Sequence, residues 1–394
     1  MQTTKEKVPT YLISLILIMG AFGVMGGGLV APALPSIGRA FDIPESQQGF
    51  ILSVYTLSAA ISLPFLGYLI DIIGRRKIGL ASLIIDGVAG ISIIFAPSFS
   101  AVLILRFIQG IGIAGLIPIA MTIIGDLFTG DRRLQLMGYL TGIISLGAAV
   151  IPTLGGSLAT IDWRLVFLVY SLPLILAIFF YFGLPETAPP GSIEKAKKIS
   201  PLQYVISLFT VLKNRGIRNV MFHSLTTYFF LYSLVTFLPI YIVTVHGFTE
   251  IFSGLALSLQ GASSALVASK ANILSSLIKW RYRTAIGFIF KGLAFILLPF
   301  WPTGSFLISI SLIFYGIGYG IVSPTIYNRA TTLPPKELSG SVIAIFNTMK
   351  FIGMTLSPFI LGIVLNFTDV QIVFSLVALI AILWGVFVFV ARDN

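Results

Sequence analysis

The sequence contains no cysteine, only 14 acidic residues against 25 basic ones, and two histidines. Without cysteine there are no disulfides, no iron–sulfur clusters and no thiol chemistry. Charge is scarce altogether: 10% of the 394 residues are charged, whereas 57% are hydrophobic. The chain shows no P-loop, no zinc-ligand spacing, no nucleophile elbow and no cluster of carboxylates, so neither ATP-driven transport nor an enzyme is supported. No cofactor and no metal is expected.

What the chain has instead is long apolar runs. Its mean hydropathy of +1.00 implies more apolar surface than a water-soluble fold can hide. Runs of roughly 20 residues recur, each long enough as a helix to cross about 30 Å of hydrocarbon. Twelve spans are expected, near residues 10–33, 47–70, 78–97, 99–125, 135–159 and 165–184, then 217–244, 250–276, 284–301, 304–328, 338–364 and 370–391. Lys5 and Lys7 precede the first, which suits a signal anchor better than a removable leader.

The net charge of +11 is distributed as topology, not as a nucleic-acid footprint. Nineteen of the 25 basic residues fall on the termini and the even-to-odd connections, two (Arg39 and Arg164) on the odd-to-even connections, and four (Arg106, Lys270, Lys291 and Lys350) inside spans. That bias predicts both termini in the cytoplasm of a multi-pass protein of the plasma membrane.

A repeat of about 206 residues runs through the chain. Gly110, Gly112 and Pro118 match Gly316, Gly318 and Pro324, and Gly147, Pro152 and Gly156 match Gly353, Pro358 and Gly362. One residue shorter, Gly49 matches Gly254 and Arg76 matches Arg281; one longer, Pro32 matches Pro239. The expected fold is therefore all-α, with 12 transmembrane helices in two pseudo-symmetric six-helix bundles and a substrate near the midplane between them. The expected boundaries are 1–186 for the first bundle, 187–216 for a cytoplasmic linker and 217–394 for the second. In the linker, Leu202, Val205, Ile206, Phe209 and Leu212 fall on one helical face, which predicts an amphipathic helix on the membrane surface.

Three motifs carry a resemblance. The stretch GYLIDIIGRRKIGL resembles the signature between spans 2 and 3 of the major facilitator superfamily, with Gly67, Leu69, Asp71, Gly74, Arg75 and Arg76 in place. LILRFIQGIG resembles its span 4 signature through Arg106, Gln109, Gly110 and Gly112. GYLTGIISLGAAVIPTLGG looks like the antiporter signature of the 12-span drug–proton antiporter branch: Gly138, Gly147, Pro152, Gly155 and Gly156 fit, and Ile151 stands where the pattern has glycine. The resemblance implies the major facilitator fold. It also implies that Gly67, Asp71, Gly74, Arg75 and Arg76 form a cytoplasmic latch closing against span 11, and that Arg106 takes part in proton coupling.

The residues add their own constraints. Gly138, Gly142, Ser145, Ala149, Pro152 and Gly156 make one stripe of small residues on span 5; Gly254, Ser258, Gly261, Ala265, Ala268 and Asn272 make another on span 8. Such stripes let helices approach closely in lipid, so spans 5 and 8 are expected to meet. Charges inside spans are costly and need a reason. Asp86 is the one carboxylate deep in a span, and at the matching place in the second half stands Lys291. Asp86 suits a proton site and a structural ion pair with Arg106 equally. Spans 1 and 5 hold no acid, and span 4 only Asp126 near its end, so proton coupling would use Asp86 or the Asp71/Asp126 pair. The second-half copy of the latch is degenerate, with Asn272, Ser276 and Lys279 replacing Gly67, Asp71 and Gly74.

The resulting expectation is a monomeric secondary transporter that exports amphipathic small molecules by alternating access, in exchange for protons. Gln109, His223, Tyr228, Tyr232, Tyr315, Tyr319 and Lys350 are candidates for its cavity. Two alternatives stay open. The cationic interior suits a carrier of organic anions or anionic lipids, or an importer. A non-transporting sensor or scaffold would reuse the fold without alternating.

Overall fold

The computed structural model describes residues 9–191, 193, 194, 197, 200–299, 305–334 and 339–391, and every regular element among them is a helix. Lys5 and Lys7, and with them Lys195, Lys198, Lys336 and Arg392 of the orientation argument, lie outside the described residues. Span 1 is broken. It runs as Thr10–Phe22, then Met25–Gly28 and on to Leu34–Ala40, with a bend of 46°. Span 2 is Phe50–Ile73, span 3 Arg75–Ser92, span 4 Phe99–Leu127 and span 5 Gly130–Ile161. Span 6 comprises Trp163–Leu168 and Ser171–Gly183. After the linker helix Pro201–Thr210 come span 7, Arg215–Ile240, and span 8, Glu250–Ala268, with a short continuation Ala271–Leu277. Span 9 is Trp280–Leu297, span 10 Ser305–Thr332, span 11 Ser339–Leu365 and span 12 Val370–Val390.

Among the described residues ten helices are long and apolar enough to cross a membrane, or eleven if bent span 1 is one. Span 9 is not among them, because its 18 residues include Arg281, Arg283 and Lys291. Local chemistry sets several ends. Ser98, Asn214 and Asp369 each accept a backbone N–H from the first turn they precede, capping spans 4, 7 and 12. Gly74, at φ 110°, separates spans 2 and 3 in a conformation that side chains other than glycine's rarely adopt.

The packing repeats along the chain. Span 4 lies against spans 2 and 3, and span 3 against span 6; likewise span 10 lies against spans 8 and 9, and span 9 against span 12. The glycine pairs of the repeat meet matching neighbours. A methyl group on Gly110 would lie 2.1 Å from the Tyr55 carbonyl oxygen, and one on Gly316 would lie 2.8 Å from that of Gln260. Gly112 abuts Ser82 and Asp86, whereas Gly318 abuts Gly287 and Lys291. Helices in lipid gain little from the hydrophobic effect, so such close contact is a main source of attraction between them.

Among the described residues the two sequence halves pack most extensively along two seams, span 5 with span 8 and span 2 with span 11, and span 1 also meets spans 7 and 8. Both seams close at the end of the molecule away from the linker. There Gly254 and Gly261 press on the carbonyls of Pro152 and Ala148 (2.4 Å each for an added methyl), and Gly156 presses on that of Glu250 (2.5 Å). In the second seam Gly49 backs on Pro358 and Gly362 on the Ser46 carbonyl. Toward the linker the span 5 stripe is bare: methyl groups on Gly138 or Gly142 would meet nothing within 4 Å. The seam between spans 5 and 8 is shut at one end and parted at the other.

Candidate functional site

At the linker end, Arg75 gathers the latch residues. Its guanidinium lies 2.9 Å from Asp126 and 3.4 Å from Asp71, and also donates to the Ile70 carbonyl at 3.2 Å. Glu186 accepts the backbone N–H groups of Arg75 and Arg76 at 2.9 and 3.2 Å, placing a carboxylate on the N-terminus of span 3. It also fills the space beside Gly74, where any added methyl would lie 2.3 Å from a Glu186 oxygen. Arg76 stacks over Tyr181, its carbon 5.4 Å from the ring centre. All these partners precede the linker in sequence.

Among the described residues Asp71 pairs with Arg75 alone and forms no ion pair with span 11, its side chain half exposed at 49%. The linker helix occupies its approach. The Tyr204 hydroxyl sits 2.6 Å from where a methyl on Gly67 would stand, and its ring packs on Tyr68 with centres 5.5 Å apart. Burial, and then the Asp71 charge, push the Tyr204 hydroxyl above its ordinary value, so it stays protonated. The linker helix forms as expected, but its buried face includes Leu208, while Ile206 points outward. Leu202, Val205 and Phe209 lie outside the residues whose side chains are described.

Deep between spans 1 to 4 lies a second cluster. Arg106 is wholly buried, where an unpartnered guanidinium would cost several kcal/mol. It donates to the Gly26 carbonyl at 2.8 Å, the Ile51 carbonyl at 3.2 Å and the Gln109 carboxamide oxygen at 2.7 Å, and its carbon lies 4.1 Å from the centre of the Tyr55 ring. Gly26 lies in the short helix beside the break in span 1, so Arg106 ties span 4 to the broken segment. Asp86 is wholly buried beside this group, and both its oxygens lack a hydrogen-bond partner. The Gln109 carboxamide nitrogen and the Tyr55 and Tyr170 hydroxyls lack one too. Asp86 and Arg106 form no ion pair within 4 Å, although Gln109 and the Arg106 charge both act on its carboxylate.

The remaining candidates separate into two groups. Gln109, His223 and Tyr315 are buried within helix packing and do not line the space between the halves. His223 stands in a box of Trp280, Phe288 and Trp384, with ring centres 5.9 to 6.2 Å away. Tyr315 packs edge-on against Phe295. By contrast Tyr228, Tyr319 and Lys350 keep partial exposure although they lie midway along spans 7, 10 and 11. Tyr232 reaches across from span 7 to span 1, its hydroxyl 2.4 Å from a methyl built on Gly27. Lys270 is exposed at the kink after span 8.

A profile of the Major Facilitator Superfamily matches residues 16–358. The chain belongs to that superfamily. As one of its members it is a multi-pass membrane transporter. It is 28% identical over 345 residues to the bacillibactin exporter of Bacillus subtilis, covering 85% of each chain. It is also 28% identical over 359 residues to the class G tetracycline resistance protein of Vibrio anguillarum, covering 86% of this chain and 88% of that one. Among solved structures, a bacterial homologue of the human lysosomal transporter Spinster, in an inward-facing and occupied conformation, superposes with a TM-score of 0.79 at 14% identity, covering 96% of each chain.

For a superfamily member, the residues that sequence reasoning missed are those at the closed end. Arg39 pairs with Glu250, and Ser36 donates to the same carboxylate oxygen, tying the end of span 1 to the head of span 8. Thr153 donates to Ser258 at 2.7 Å, and the Thr56 and Thr355 hydroxyls are 2.9 Å apart. One signal was present: Arg39 is one of only two basic residues on its side of the orientation count. Glu186 lies in LPET, a stretch that also looks typical of the drug–proton antiporter branch; Tyr55 and Tyr170 carried no such mark.

Proposed function

We propose that this protein exports small amphipathic molecules across the plasma membrane by alternating access, in exchange for protons. The carrying observation is the asymmetry of the seams: shut by backbone contact at one end, parted at the other, with the latch pairs held inside one half. Two bundles, residues 1–186 and 217–394, rock about the broken span 1 and its contact with span 7, while 187–216 bridges them. The basic bias puts the linker and both termini in the cytoplasm. The parted end then loads substrate from the cytoplasm, and the similarity to two exporters over most of the chain supports the outward direction.

Proton exchange rests on Asp86. Its two unpartnered oxygens stand beside Gln109, which holds Arg106, which in turn holds the Gly26 carbonyl at the break of span 1. Adding a proton removes a buried charge facing Arg106 from span 4, with the Tyr55 and Tyr170 hydroxyls near it from span 2 and the start of span 6. The change in attraction passes along that chain to the hinge. In proteoliposomes, Asp86→Asn is expected to reduce transport driven by a pH gradient at least tenfold while keeping substrate counterflow. Equal losses of both would assign Asp86 to folding or substrate binding, and no loss would remove it from coupling.

A further inference from the structure

Two lysines inside spans of the second half, partly exposed Lys350 and wholly buried Lys291, have no carboxylate beside them among the described residues. Lys350 on span 11 lies with its ammonium 5.6 Å from the ring centre of Tyr228 and 4.9 Å from that of Phe351. Lys291 on span 9 is wholly buried, its ammonium without a hydrogen-bond partner, 4.7 Å from the ring centre of Phe288 and 5.3 Å from that of Tyr319. Tyr228 and Tyr319 pack edge to face with centres 6.0 Å apart, so the two ammonium groups flank one aromatic pair.

The sequence supplies no counter-ion. After residue 216 the acids are Glu250, Glu337, Asp369 and Asp393, and none lies within the interior of a span. Glu250 and Asp369 stand at the heads of spans 8 and 12, the former tied to Arg39. No carboxylate lies within 4 Å of either lysine among the described residues. The first half differs: its buried Arg106 has Asp86 nearby and three hydrogen bonds of its own. A buried ammonium without a partner is costly, and aromatic faces offset only about 0.5–2 kcal/mol of that. A group that enters the gap between the halves can complete the site.

We propose that Lys350, with the Tyr228–Tyr319 pair, is the docking site for an anionic group on an aromatic substrate. The carboxylate or sulfonate takes a charge-assisted hydrogen bond from Lys350, and the substrate ring packs on the tyrosines. Lys291, behind Tyr319, backs the aromatic pair without touching the substrate. This rests on the export reading and replaces its general amphipathic cargo by an acidic aromatic one. Lipophilic cations are disfavoured, because the Lys350 ammonium offers them a like charge and no carboxylate stands beside it among the described residues.

The test separates binding from transport. The purified full-length protein is heated with carboxyfluorescein, ethidium or lysophosphatidylglycerol, and uptake of the two dyes is followed in everted vesicles. Carboxyfluorescein is expected to raise Tm and ethidium not. Lys350→Ala should weaken the acid's apparent affinity at least tenfold, Lys350→Arg should restore most of it, and Lys291→Met should cost only about threefold. Stabilisation by ethidium but not by the acid, by neither dye, or by the lysolipid in preference to the acid would overturn the proposal, as would an unaltered affinity in Lys350→Ala. Binding of the acid without transport would leave the site standing and overturn the export reading. Transport of ethidium alone would do the reverse.

Discussion

The two ends of this molecule are held by different chemistry. At the closed end glycines bring backbone against backbone, and Gly156, Gly254 and Gly261 leave no room for even a methyl group. At the parted end the contacts are ionic and confined to one half, where Arg75 divides itself between Asp71 and Asp126. Close apolar packing is strong only at one spacing and fails within an ångström. Ion pairs at a wet helix end vary gradually with distance and cost little to exchange. A seam of the first kind is tight when shut and wholly lost when open. A cluster of the second kind can change partners during the cycle.

The largest effect should come from breaking the backbone seam. Gly156→Leu overpacks a contact with no slack, at about 1–3 kcal/mol, or roughly one to two orders of magnitude in the closed-end population. The chain lacks cysteine, so a Ser258→Cys background reports this cleanly. An impermeant maleimide should label that thiol at least ten times faster in Gly156→Leu than in the parent. A smaller effect on structure, though a large one on turnover, is expected at the other end. Asp71→Asn removes one half-exposed partner and should move Tm by no more than about 2–4 °C. Transport should still fall at least tenfold, because the opposite conformation loses its latch; intact transport would show that the cluster only anchors helices. The smallest effect belongs to the ionic tie across the closed end. Glu250→Gln should raise labelling at Ser258→Cys by about fivefold or less, since pairs with an exposed partner contribute about 1 kcal/mol at most. High salt should shrink the difference between variant and parent, because the Arg39 side chain is 60% exposed.

These unequal ends also explain what could be seen in advance. The all-helical membrane class follows from apolar run length, though the expected twelve spans compare with ten or eleven helices that pass on length and composition among the described residues. The repeat followed from glycines and prolines because a close approach demands them wherever it occurs. Span 1 was legible as a span but not as a broken one: its Gly26-Gly27-Gly28 run permits a break, and only Tyr55 and Tyr232 pressing on it show why one is there. His223 and Tyr315 looked like cavity residues because position along a helix was known and rotation was not. A rotation of one residue, about 100°, separates the interior of a half from the gap between halves. Glu250 was hidden for a different reason. A carboxylate at a helix head is ordinary, and its meaning depends on Arg39, which lies 211 residues away.

The paired seams carry a consequence for how such a chain changes over generations. Gly254 rests on Pro152 as Gly49 rests on Pro358, so the interface has the self-complementary form of a dimer of identical units. In a dimer of separate copies any substitution strikes both seams at once, and a charge placed in the interior is always mirrored by the same charge. Fusion into one chain removes that restriction. Asp86 and Lys291, at equivalent places against Gly112 and Gly318, are a pair of opposite sign that no symmetric dimer could hold. Joined in one chain, one half is free to hold the acid and the other to hold the lysine.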